Sequence, residues 1–297
     1  MLKLFCLFVM LGAALPARAV DAFACEPEWK ALLDEIGAGH VESIAATTAQ
    51  QDPHYIQARP SLISKVRRAD LLVCTGAQLE SGWLPLLLRR ATNSKVQTGQ
   101  PGYFLAANQV RKLEVPAQLD RSQGDIHPDG NPHVHLDPRN IELIAKALSE
   151  RLQQIDSANA ADYQSALDDF LGRWEKAVDG WEERGAALAN MRLVTHHRSF
   201  SYLMNWLDID YAGTLEPKPG VPPTSNHLSQ LLGKLEGNPP AAIVRTPYTD
   251  PRASRWLADR LETPEFELPY TVGGAEGADD LFGLFEVTLS RLEERVP

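Results

Sequence analysis

Asn131-Pro132-His133-Val134-His135-Leu136-Asp137-Pro138 sets two imidazoles and a carboxylate between prolines, and the chain changes character across it. Upstream, short apolar runs alternate with helical patterns. Strands are predicted at 22–25, 41–47 and 71–75. Helices are predicted at 27–37, from Ser61 (a candidate cap) through Leu62, Val66 and Ala69, and at 83–90. This β–α alternation predicts a parallel sheet with helices on both faces. Downstream, 139–154 carries Ile141, Ile144, Ala145, Leu148 and Leu152 at helical spacing. A break at 156–159 follows. Residues 160–188 then place Tyr163, Leu167, Phe170, Trp174, Val178 and Trp181 at intervals of 4, 3, 4, 4 and 3. Such a helix, roughly 40 Å long at about 1.5 Å per residue, can cross a whole protein and join two lobes. From Met191 the alternation restarts: strands at 192–195, 209–215, 241–245 and 266–268, and helices at 199–206, 225–236, 252–261 and 279–295. The fold class read from this is α/β: two α/β lobes (20–159 and 190–297) with parallel sheets, joined by one long backbone helix (160–189).

Charge and the first residues narrow the function. A formal net charge of −10 argues against nucleic acid and anionic membrane as partners and is compatible with a cation. Lys3, the apolar run 4–15 and Ala17-Arg18-Ala19 read as a signal peptide, 1–19. That run is too short to span a bilayer comfortably. Its removal takes away Lys3 and Arg18 and lowers the charge to −12. The sequence around Cys25 is a poor lipid-attachment site, so the expected product is a soluble periplasmic protein. Cys6 leaves with the signal. Cys25 and Cys74, each ending an apolar run, remain as a disulfide or as two buried thiols.

Histidine is the commonest zinc ligand, and a site needs two to four such groups at about 2 Å from the ion. Three separated positions offer one: His54 after Asp52-Pro53, His133 after Asn131-Pro132, and His197 at the end of a predicted strand. In open α/β sheets, ligands bind at strand ends or in the loops beyond them. The three are expected to converge on one ion. His40 and His227 have no metal-like context, His196 would point away from His197 on a strand, and the 125–130 loop with His127 either hands metal to the site or is a plain surface turn, the turn being the favoured reading. The aromatic stripe of 160–188 reads as core.

The order of motifs resembles the periplasmic metal-binding proteins of zinc and manganese ABC importers, the zinc-uptake type among them. The resemblance runs through Asp52-Pro53-His54 leading to Pro60-Ser61, then Ala69-Asp70 before an apolar strand and Gly76 to Glu80. It continues through Pro132-His133-Val134-His135-Leu136-Asp137-Pro138 and His197 opening a helix with Phe200 and Tyr202. It covers essentially the whole mature chain. It implies an ion in the cleft between the lobes, held by His54 and His133 from the first and His197 from the second. It also implies a monomer that hands the ion to a membrane permease. Three nitrogens favour Zn²⁺ over manganese without excluding copper or nickel. Many relatives supply a fourth ligand, an aspartate in a late loop where this chain has Tyr270-Thr271. Glu276, Asp279, Asp280 or a water would then complete the set, and His135 would support His133 or replace it.

Two other classes stay open on the sequence. One is a zinc-dependent hydrolase using His133-x-His135 and a metal-bound water, although no general base is evident. The other is an adhesin or scavenger acting without a permease.

Overall fold

The structure, a computed structural model, describes residues 18–118, 124 and 127–295. Most of the signal segment and Asp125 of the 125–130 loop lie outside the described residues. The first sheet is built from β1 (Val20–Ala24), β2 (Val41–Ala45), β3 (Leu71–Cys74) and β4 (Tyr103–Leu105) in the order β2-β1-β3-β4. The second is built from β5 (Arg192–Thr195), β6 (Asp210–Thr214), β7 (Ala242–Arg245) and β8 (Glu265–Glu267) in the order β6-β5-β7-β8. All pairings are parallel. The two halves therefore repeat one topology, with the switch in direction between β1 and β3 and between β5 and β7. Loops beyond the strand ends of both sheets face a common cleft, where such folds place ligands.

Helices cover both faces of each sheet. In the first lobe α1 (Pro27–Ile36) lies on the inner side, and α2 (Pro60–Arg68) and α3 (Leu84–Ala91) on the outer. In the second, α7 (Ser225–Leu235) and α8 (Arg252–Leu261) are outer, while α6 (Ser201–Trp206) and α9 (Leu281–Glu293) join the inner core. Two expectations need correction. Ser61 is not a cap: Arg59 occupies that position with no side-chain capping bond, and Pro60 supplies a φ suited to the first helical turn. The three-residue strand β4 is absent from the sequence reading, because it sits among Gly99, Pro101 and Gly102 and is too short to show a period.

The long helix α5 (Ala160–Gly185) has 26 residues, about 39 Å, and continues as a tight turn through Ala186–Leu188. It follows α4 (Pro138–Ile155), and its stripe is packed rather than exposed. Trp174 stacks on Phe170, meets Phe282 and Phe285 of α9 edge-on, and donates its indole N–H to the Pro138 carbonyl at 2.9 Å. Trp181 stacks on Phe285. One continuous apolar core thus runs from β1 and β3 through α4 and α5 to α9. Gly185 ends α5 where a Cβ would stand 2.5 Å from the Leu207 Cδ2, so any larger residue there would have to displace that side chain.

Cys25 and Cys74 follow paired residues of β1 and β3 and form a disulfide across a sequence separation of 49, with Cα atoms 4.8 Å apart. Its stabilisation is mainly the chain entropy removed from the unfolded state. The Cys25→Ala/Cys74→Ala variant is expected to lose about 2–4 kcal/mol of unfolding free energy. Trp174→Ala removes the centre of the shared core and should cost about 3–5 kcal/mol. Urea titration followed by fluorescence and far-ultraviolet dichroism checks both, and the two probes should give one coincident transition because the core is shared.

Candidate metal centre

Each of the three histidines is set by its own loop. After β2 the chain turns at Asp52, whose carboxylate accepts from the backbone N–H of His54 at 3.0 Å and from its Nδ1–H at 2.7 Å. The Trp83 indole donates to the Pro53 carbonyl at 2.8 Å and pins this loop to the first lobe. Burial raises the Asp52 pKa, but the bonds from the His54 ring and backbone outweigh it, and the carboxyl is held below its usual range.

His133 is fully buried. Asn131 shapes its loop: its side-chain oxygen accepts from the His133 N–H at 2.9 Å, and its amide donates to the Arg198 carbonyl at 2.9 Å and to Glu114 at 3.0 Å. The His133 Nδ1 lies 2.7 Å from the Tyr270 hydroxyl, in the loop beyond β8, while its Nε2 is buried without a hydrogen-bond partner. Burial, and then the charges of neighbouring imidazoles, push its pKa well below the ordinary histidine value. The ring is therefore neutral, as metal ligation requires.

His197 follows β5. Its Nδ1–H donates to Glu216 Oε2 at 2.7 Å, and Glu216, just beyond β6, also accepts from the Gly220 N–H at 3.0 Å. In all three rings Nδ1 is engaged behind, so Nε2 is the nitrogen left to face the centre. The rings stand at 73°, 78° and 83° to one another with centroids 5.6–5.7 Å apart. Their ligand atoms lie within 4.8 Å of each other. Movements of roughly an ångström bring such a set to zinc–nitrogen distances of about 2.0–2.1 Å. A cavity of about 670 Å³ lies beside His54 and His197, lined also by Phe200, Pro222, Tyr248 and Trp256.

The remaining candidates fall elsewhere. His135 does not share a face with His133, because Val134–Leu136 form a 3₁₀ turn rather than an extended segment. His135 is fully buried, donates from Nε2 to the Tyr270 carbonyl at 2.8 Å, and places Nδ1 3.3 Å from Glu28. It braces the late loop instead of facing the centre. Thr271, where the resemblance asks for an acid, donates its hydroxyl to Glu28. Glu276 and Asp279 are exposed; Asp279 lines a groove against Lys176 and Trp181 of α5, and Asp280 caps α9. None of the three completes the site. The thiols of Cys25 and Cys74, near the Glu80 carboxylate, are committed to the disulfide and offer no thiolate. His40 pairs with Asp162 and His227 donates to the Thr214 carbonyl, both apart from the centre.

His127 does lie in a turn, closed by the Gly130 N–H on its carbonyl, and it also reaches the site: its Nε2 lies 3.3 Å from the His54 Nε2, with ring centroids 5.3 Å apart. Glu216 and Tyr270 were not recognisable as supports from sequence. The only signal for Glu216 is a carboxylate just beyond a predicted strand, on the side where the other ligands emerge.

The family described as "Zinc-uptake complex component A periplasmic" matches residues 23–295. The metal ABC transporter substrate-binding lipoprotein SloC of Streptococcus mutans is 24% identical over 216 residues, 72% of this chain and 68% of that one. The manganese ABC transporter substrate-binding lipoprotein PsaA of Streptococcus pneumoniae is 21% identical over 250 residues, 82% of this chain and 78% of that one. The crystal structure of ZnuA superposes with a TM-score of 0.76 at 20% identity, over 93% of this chain and 98% of that one. The laminin-binding adhesin Lmb of Streptococcus agalactiae does so with a TM-score of 0.77 at 16% identity, over 94% and 100%. With a family match that runs from β1 to two residues beyond α9, the chain belongs to the periplasmic component A family of zinc-uptake complexes.

Proposed function

We propose that this protein captures one Zn²⁺ between the Nε2 atoms of His54, His133 and His197 and delivers it to the membrane permease of an ABC importer. The coarser role follows from the family: a periplasmic metal-binding component of an ABC importer, not an enzyme. The observation that carries the zinc reading is the donor set. Three imidazoles present Nε2 to one point, each with Nδ1 held by Asp52, Tyr270 or Glu216. Partners of this kind fix the ring orientation and raise ligand basicity. Nitrogen donors suit zinc, whereas manganese prefers oxygen. Relatives named for manganese and for iron make this the point to test.

The division into a signal at 1–19, lobes at 20–159 and 190–297 and a linking helix at 160–189 is part of the proposal, as are export to the periplasm and a monomeric state. The acidic charge supports capture of a cation and does not favour nucleic acid. The hydrolase alternative loses its His-x-His pair, since His135 is bonded to the Tyr270 carbonyl.

Metal analysis of the purified protein should find one zinc per chain, and titration against a competing chelator gives the affinity. His54→Ala, His133→Ala and His197→Ala should each weaken zinc binding by about tenfold or more, while His40→Ala and His227→Ala leave it unchanged. Glu216→Gln keeps the side-chain volume but replaces the carboxylate acceptor of the His197 Nδ1–H by a weaker amide, and should cost about 10–100-fold in affinity. Retention of normal affinity by His54→Ala would overturn the reading.

A further inference from the structure

We propose that His127 is the fourth protein ligand, making the site a four-nitrogen tetrahedron that selects against oxygen-preferring ions. This rests on the three-histidine reading above. The first support is metric. Nitrogens at about 2.0–2.1 Å from a tetrahedral zinc are separated by about 3.3–3.4 Å, and the Nε2 atoms of His127 and His54 stand 3.3 Å apart, one edge of such a set; the ligand atoms already within 4.8 Å of one another are those of His54, His133 and His197, so His127 joins them by moving inward on binding. The ring centroid of His127 is 5.3 Å from that of His54, against 5.7 Å for each of the other two ligands.

The second support is the way the loop is built. The Gly130 N–H donates to the His127 carbonyl at 3.0 Å and closes the turn. Gly130 has φ +102°, and a Cβ there would lie 2.8 Å from the Leu113 carbonyl, so this turn demands glycine. The next N–H, of Asn131, donates to that same carbonyl at 2.8 Å. On the other side, a Cβ on Gly124 would lie 2.5 Å from the Pro219 carbonyl of the second lobe. The turn from His127 to Gly130 is thus tied to the first lobe, and Gly124 stands against the second.

The third support is elimination among the described residues. Thr271 is turned to Glu28, Glu276 and Asp279 are exposed, and Asp52 and Glu216 stand behind their histidines. With His54 Nδ1–H given to Asp52, the His54 Nε2 carries a lone pair, so the metal-free contact is an N–H of His127 donating to it. Metal binding replaces that bond.

The test uses the full mature chain loaded with Zn²⁺ or Co²⁺. X-ray absorption on the zinc form should count four imidazole rings by their outer-shell scattering in the wild type and three in His127→Ala. The visible bands of the Co²⁺ form should keep their tetrahedral intensity in that variant but shift in position, as an oxygen donor replaces one nitrogen. Zinc affinity should fall by about tenfold, and His127→Asp should shift retention toward Mn²⁺ relative to Zn²⁺. An unchanged spectrum, ring count and affinity in His127→Ala, with His54→Ala still losing its metal, would overturn this inference alone. A His54→Ala variant that keeps its metal would overturn the three-histidine reading beneath it.

Discussion

The structure depends on holding ring nitrogens from two separate sheets at one point. An imidazole on a loop has two rotatable bonds and two nitrogens, and by itself presents neither reliably. Here the freedom is removed from behind. Asp52, Tyr270 and Glu216 each take one Nδ1, and the loops carrying them are tied by Trp83, Asn131 and the Gly220 N–H. Two of these supports cross between lobes: Tyr270 comes from the second and holds a first-lobe histidine, and Asn131 of the first donates to the Arg198 carbonyl of the second; Glu28 of the first also accepts from Thr271 of the second. The buried polar groups of the cleft are therefore also a fastening between its walls.

That fastening works because the lobes are already related by α5. Its aromatic stripe joins α4 to α9 in a single core, so the distance between the two sheets is set by packed side chains rather than by a flexible strap. Close-packed interiors resist continuous deformation. A hinge motion of the kind usual in two-lobed binders would have to break the Trp174 and Trp181 contacts, and rearrangement confined to the cleft loops avoids that cost.

Much of this was legible in the sequence, for physical reasons. Strands buried on both faces read as continuous apolar runs, which is why β3 is plain in Leu71-Leu72-Val73-Cys74. The stripe of α5 is periodic over many turns. The histidines after Asp-Pro and Asn-Pro stand out because the backbone before them is stiff. What stayed hidden depended on long-range contact. β4 has three residues and no period. The direction of His135 turned on a 3₁₀ turn that proline-flanked sequence does not announce. His127 looks like a turn residue until the first lobe brings its loop over His54. The late acids looked available only because nothing local says that Asp280 caps a helix and that Asp279 faces α5.

The continuous core has a consequence for recognition. If loading moves a few side chains by an ångström while the two sheets keep their spacing, the filled and empty proteins have nearly the same silhouette. A transporter could not sort them by outline. Discrimination would fall to the cleft rim, where the loop bearing His54 and the segment bearing His127 either rest on each other or are both drawn down onto an ion, changing the local charge by two. Cargo would be announced by a small electrostatic mark at the lip of the cleft, not by the posture of the lobes.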